Sequence, residues 1–171
     1  IAQRISAATG TLFAVRARDA VGGGCINSAT VLQDGRQRYF VKFNDAARLA
    51  MFEAEAEGLK AIAQTRSVRV PRPVCSGTAG ASAYLVLEHL ALESADARSL
   101  EQLGRELAQM HRATREQFGW HRDNTIGSTP QVNTPGADWM EFWREHRLGF
   151  QLQLAARHGR EEHQRVEDHR L

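Results

Sequence analysis

Lys42 ends the run Tyr39-Phe40-Val41-Lys42, a Gly22-Gly23-Gly24 turn precedes that run, and Glu55 follows thirteen residues after the lysine. Each residue type suits one part of gripping a polyanion. A glycine turn lets the backbone approach phosphate oxygens and aim N–H groups at them, which a Cβ would hinder. Three glycines between strands can also be a plain turn, so the downstream context matters. Val41 and Phe43 place apolar residues on either side of Lys42, which predicts that the lysine lies beside a core. An ammonium buried there without a counter-charge costs several kcal/mol, so it needs an acid. Glu53, Glu55 and Glu57 compete for that role. A helix turns about 100° per residue, so only one or two of them can face the lysine. Glu55, between Phe52 and Leu59 on the apolar side, is the expected partner. A glycine turn, a strand lysine and a helix glutamate together form the grip on a nucleotide triphosphate used in protein-kinase-like sites.

Other residues carry weaker signals. Glu88-His89-Leu90 leaves a short apolar run, where backbone groups could pair with the edge of a base or simply exit a strand. Cys25 lies inside the glycine turn. It is either a small buried hydrophobe or a thiol made reactive by N–H dipoles favouring its thiolate. Cys75, after Pro73, is expected in plain core. The seven histidines show no zinc spacing, and no metal site is expected within this chain. Trp139, Phe142 and Trp143 read as helix core, although one tryptophan could line a sugar site.

These residues need a scaffold, and the chain supplies its signals in order. Residues 1–9 predict a short helix stopped by Gly10. Phe13, Val15 and Ala17 alternate as a first strand, Ile26 to Leu32 forms a second, and Gln33-Asp34-Gly35 turns into a third over Arg38–Phe43. From Ala46 to Gln64, Leu49, Phe52, Ala56 and Leu59 recur at helical spacing, with Asp45 as N-cap. Pro71 and Pro73 open a strand through Gly77, and Tyr84–Leu87 is a buried strand. Ser99 to Arg112 is a helix carrying Leu100, Leu103, Leu107 and Met110 on one face. Phe118–Gly136 is a loop long enough to be functional or packed on its own side chains. Asp138 to about His158 is a helix, and the charged tail from Gly159 is expected to fray. The fold class predicted is α+β: an antiparallel five-stranded lobe with one major helix, residues 1–91, followed by the first helices of a helical lobe, residues 92–171.

Composition excludes several classes. Hydrophobic residues make up 42% and charged residues 25%, ordinary for a globular protein. The formal charge of +2, from 22 basic and 20 acidic residues without massed Lys and Arg, gives no footprint of nucleic-acid binding. No apolar run approaches the ~20 residues of a membrane span, and no signal-peptide pattern is seen. Two distant cysteines fit a reduced, cytoplasmic setting.

Several spaced segments resemble one family. They are Gly23-Gly24-Cys25-Ile26-Asn27, Phe40-Val41-Lys42, Met51 to Leu59, Val70-Pro71, Tyr84 to Glu88, Leu103 to His111, Phe118-Gly119-Trp120, Asp123 to Asn133, and Asp138-Trp139 through Phe142-Trp143 to Arg147-Leu148. Together they resemble the N-terminal portion of the fructosamine kinases (ketosamine-3-kinases) over about residues 5–159. The resemblance implies a protein-kinase-like fold that moves the γ-phosphate of ATP, with Mg2+, to the 3-hydroxyl of a ketosamine, the reaction class of deglycation. It implies that Gly22, Gly23, Gly24 and Cys25 cover the phosphates, that Lys42 and Glu55 grip them, and that Glu88, His89 and Leu90 hold adenine. The implied partners are a nucleotide and a glycated amine, and the family's turn cysteine, matched by Cys25, implies a redox-sensitive homodimer.

One departure stands out. The family continues with a His-Gly-Asp segment bearing the catalytic base and an Asp-Pro-Ala segment for magnesium, and these 171 residues contain neither. His158-Gly159 is followed by Arg160 and Glu161. The expectation is therefore a partial enzyme without turnover of its own, with an apolar patch left by the missing helices and a tendency to self-associate. Competing expectations are an aminoglycoside or choline phosphotransferase, and a short form that only binds nucleotide or a partner.

Overall fold

The structure is a computed structural model that describes residues 1–22 and 26–168, the stretch 160–168 by its backbone alone. Its chain separates into two units, Ile1–Thr114 and Arg115–Leu171.

Alternation along three central strands organises the first unit. Strands β1 (Ala17–Val21), β2 (Ser28–Gln33), β3 (Arg38–Asp45), β4 (Pro73–Ala79) and β5 (Ser82–Glu88) form one antiparallel sheet in the order β1-β2-β3-β5-β4. Successive strand residues face opposite sides. Tyr39, Val41, Tyr84 and Val86 therefore share a core with Ile5 and Phe13, the former on helix α1 (Ala2–Thr9). Ala83, Leu85 and Leu87 face the other way, against Phe52 and Ala56 of helix α2 (Leu49–Gln64), with Phe40, Leu49 and Leu59 at the edge. This is the predicted α+β arrangement: five antiparallel strands and one major helix.

Local chemistry sets the boundaries. Gly10 ends α1 in the left-handed region at φ 69°, where glycine escapes the Cβ penalty. Asp45 caps a single 3-10 turn, Ala46–Arg48, by accepting the Ala47 N–H at 2.8 Å, and α2 follows. Helix α3 (Ala97–Met110) starts at a capping box in which Asp96 and Ser99 bond reciprocally. Leu100, Leu103 and Leu107 on α3 are exposed. The two units divide after Thr114, C-terminal to α3, whereas the lobe boundary expected from the order of strands and helices precedes it at 91/92.

Four expectations need correction. The first strand starts at Ala17, because the Phe13 N–H donates to the Ser6 hydroxyl at 2.9 Å and the chain reaches the ladder only at Arg16. Phe13 is still buried, edge-on to Tyr39 at 5.0 Å. In the second unit the long loop contains a small hairpin, β6 (Asn124–Ile126) with β7 (Thr129–Gln131), turned at Gly127 with φ 62°. The single helix expected from Asp138 is three segments: α4 (Trp139–Trp143), a π-helical stretch Arg144–Gly149, and α5 (Phe150–Asp168). The wide turn depends on Gly149, where a Cβ would lie 2.5 Å from the Arg144 carbonyl oxygen. The backbone of α5 also runs past Gly159 to Asp168, through a proline-free run of good helix formers.

Candidate functional site

Register brings the site together on the α2 face of the first unit. Val31, Phe40 and Leu87 are direct cross-strand partners on β2, β3 and β5, so they form one row of apolar side chains. That row lines a cavity of about 490 Å³ with Val21, Pro71, Leu90 and Leu92, and with Arg69, Glu88 and His89 as its polar members. The size and the balance of apolar wall to few polar groups suit a small-molecule site. Ala29, Lys42 and Leu85 form the next row on the same face. Two strand residues separate the rows, about 7 Å along β3.

Lys42 reaches across to α2. Its ammonium donates to both oxygens of Glu55, at 2.8 and 2.7 Å. The two side chains keep 23% and 29% of their exposure, so the pair borders solvent and is not sealed in the core. Such a pair contributes little to stability. What it does is hold the lysine in one direction, while an ammonium has three donors and Glu55 takes two of them. Of the three glutamates on this stretch of helix, Glu55 is the one whose carboxylate meets Lys42.

The cavity's far wall is the exit from β5. The Glu88 N–H donates to the Arg72 carbonyl at 2.9 Å, and Tyr39–Glu88 is the last ladder pair of β3 and β5. His89 and Leu90 follow that ladder and line the cavity. The Glu88 side chain turns elsewhere: it accepts the Arg69 guanidinium at 2.6 Å and the Arg72 N–H at 3.2 Å. The Arg69 bond above all holds its carboxyl below the usual range, against the opposing effect of burial, with a smaller contribution from the Arg72 N–H. Sequence reasoning missed Arg69, because an arginine in a loop before Val70-Pro71 has no periodic signal.

The glycine turn is only partly described. Gly22 has open space where a Cβ would stand, while Gly23, Gly24 and Cys25 lie outside the described residues. The exit of the turn is fastened, since the Asn44 side-chain amide donates to the Ile26 carbonyl at 3.1 Å and to Asn27 Oδ1 at 2.7 Å. Asn44 was also unmarked in the sequence reading, although it lies two residues beyond Lys42. Cys75 is half-buried, and that burial pushes its thiol up.

The second unit holds a different construction. Phe118 and Gly136 close the long loop with paired backbone bonds of 2.9 and 3.0 Å. Asn133, only 2% exposed, donates to the Arg122 carbonyl and to Asn124 Oδ1, and its own N–H meets Asp123 Oδ1 at 2.7 Å. Arg147 completes the knot, donating to the Val132 carbonyl and to Asn133 Oδ1, both at 2.7 Å. The loop is thus packed on its own side chains. Trp139 and Trp143 stay partly exposed, and Phe142 is the buried aromatic. Among the described residues no group of three His, Cys, Asp or Glu could hold a metal ion, and no helix is long and apolar enough to cross a membrane.

Comparison with known proteins agrees with this geometry. The family model for fructosamine kinase matches residues 1–169. The chain is 50% identical over 158 residues to a probable ketoamine kinase of Synechocystis sp., covering 92% of this chain and 54% of the relative. It is 49% identical over 140 residues to a chloroplastic protein-ribulosamine 3-kinase of Arabidopsis thaliana, covering 79% of this chain and 42% of that protein. A crystal structure from Haemophilus somnus, described provisionally as a fructosamine-3-kinase, superposes with a TM-score of 0.86 at 28% identity, over 92% of this chain and 54% of that one. The chain spans about half the length of these relatives. Matched along nearly all of its own length, in sequence and in fold, the chain belongs to the fructosamine kinase family.

Proposed function

We propose that this chain is the nucleotide-binding part of an ATP-dependent ketosamine kinase. The observation that carries the reading is one shared sheet face: an apolar cavity of about 490 Å³ next to the row that holds the Lys42–Glu55 pair. In this reading the adenine lies over Val31, Phe40 and Leu87 and meets the backbone of Glu88, His89 and Leu90. Lys42, aimed by Glu55, meets the phosphates under the turn of Gly22, Gly23, Gly24 and Cys25. The lobe division at 91/92 belongs to the same proposal. Mg2+, when bound, would supply charge neutralisation in phosphoryl transfer, and the described residues provide no cluster of three His, Cys, Asp or Glu side chains for it.

The names its relatives bear support the reaction proposed for the whole protein. The 3-hydroxyl oxygen of a ribulosamine or related ketosamine bonds the γ-phosphorus of ATP, the bond from that phosphorus to the β–γ bridging oxygen breaks, ADP leaves, and the hydroxyl proton passes to a base. These 171 residues hold no His-Gly-Asp segment to supply that base, so the chain by itself binds nucleotide without turning over. A cytoplasmic setting and a homodimer joined through Cys25 complete the proposal, and a non-reducing gel reads the latter directly.

The test is binding of a fluorescent ATP analogue to the purified chain, with Lys42→Met beside it. Loss of the phosphate contact should weaken the analogue about tenfold or more, or roughly 1.4 kcal/mol. Equal binding by the variant would remove the nucleotide reading, and ketosamine phosphorylation by the chain alone would remove the claim that it lacks turnover.

A further inference from the structure

Arg69 occupies a place that neither the phosphate grip nor the apolar floor explains. Its guanidinium spans two acceptors: Nη2 donates to Glu88 Oε1 at 2.6 Å and Nη1 donates to the Val70 carbonyl at 3.2 Å. Glu88 in turn accepts the Arg72 N–H on its other oxygen, at 3.2 Å, and donates its own N–H to the Arg72 carbonyl at 2.9 Å. Three of these hydrogen bonds clasp the 69–72 segment to the end of β5, and the fourth, from Arg69 to the Val70 carbonyl, holds the guanidinium within its own segment. Both clasped pieces line the one cavity, Arg69 and Pro71 from the segment and Glu88, His89 and Leu90 from the strand exit.

A clasp between two segments that line a pocket fixes the direction of the backbone at the pocket's edge. Both oxygens of the Glu88 carboxylate already accept a bond within the clasp, so the backbone of the strand exit, at Glu88, His89 and Leu90, is the edge this wall offers a base. Backbone groups on a strand exit are useful to a planar ligand only if the strand exit is held still. A guanidinium can do this with two nitrogens at once, whereas an ammonium is a point charge on a flexible stem.

We propose that Arg69 is a positioning residue for the adenine end of the nucleotide, acting through Glu88 to hold the His89–Leu90 backbone against the base. The inference rests on the nucleotide reading and narrows it: the base end and the phosphate end of one ligand are held by separate devices. Arg69–Glu88 governs the first, and Lys42–Glu55 governs the second.

The experiment measures displacement of a fluorescent ATP analogue from the full 171-residue chain by adenosine and, separately, by inorganic tripolyphosphate. Arg69→Met should weaken adenosine about fivefold to tenfold, while tripolyphosphate stays within about twofold. Arg69→Lys should fall near the methionine variant for adenosine, since it restores charge without the fork. Adenosine affinity unchanged in Arg69→Met overturns the inference. So does an equal loss of both ligands, which would mean that the substitution only loosens the fold. A wild-type chain displaced by neither ligand overturns the nucleotide reading and this inference with it.

Discussion

The two units of this chain are held together by different physics. In the first, two dry clusters do the work: Ile5, Val41, Tyr84 and Val86 on one sheet face, Phe52, Leu85 and Leu87 on the other, all nearly without exposure. In the second, the most buried polar residue, Asn133, sits in a knot of hydrogen bonds with Arg122, Asn124 and Arg147. Apolar packing tolerates small shifts, because its contacts are many and weak. A buried polar knot does not, because each lost partner leaves a desolvated group behind. The nucleotide cavity is built on the first kind of structure and the long loop on the second.

The sharpest way to break the contrast is Phe52→Ala. Phe52 is fully buried between α2 and β5, and its truncation should cost about 3–5 kcal/mol. Denaturant melts should show that loss, and hydrogen exchange should place it in the sheet. A smaller effect is expected for Asn133→Leu, about 2–3 kcal/mol, from the stranded Arg122 carbonyl and the unpaired face of Arg147. Burial already holds the Arg147 guanidinium below its usual range, so the loss of an acceptor there is felt. Exchange should accelerate in residues 118–136 and leave β2, β3 and β5 unchanged. If both substitutions loosen both units alike, the contrast is wrong.

The smallest effect concerns pH. The Glu88 carboxyl titrates lower in the folded chain than its ordinary 4.5, first because of the Arg69 bond and then because of the Arg72 N–H. Its contribution is therefore present above that value and is lost as acid brings the pH down through the folded one. Arg69 is mostly exposed, with 64% of its side chain accessible, so the contribution stays below about 1 kcal/mol. The stability gap between wild type and Arg69→Met should be flat from neutral pH to about 5 and close below it. A gap that widens on acidification would contradict the assignment of the bond.

How much could be foreseen differs between the units for the same reason. Leu49, Phe52, Ala56 and Leu59 announce α2 by spacing, and Tyr84 to Leu87 announce β5 by an unbroken apolar run. The Lys42–Glu55 contact was foreseen because a strand lysine among core residues needs an acid and a helix offers few. Arg69, Asn44 and Asn133 were not foreseen as anchors. Each bonds a backbone carbonyl, present at every position, together with one or more side chains that no spacing along the chain singles out. The π-helical widening of the last helix over Arg144–Gly149 was missed likewise, since a single glycine does not say that the ladder widens there.

From sequence alone, periodicity and the residues of the grip determined the sheet-and-helix class, the family resemblance and the strand lysine with its helix acid. Those are properties of pattern, and burial of apolar surface obeys pattern. Only the tertiary structure decided that Glu88 spends its carboxylate on Arg69 and that Asn133 is the hinge pin of the long loop. Hydrogen bonds between distant segments depend on ångström distances, which spacing along the chain does not encode.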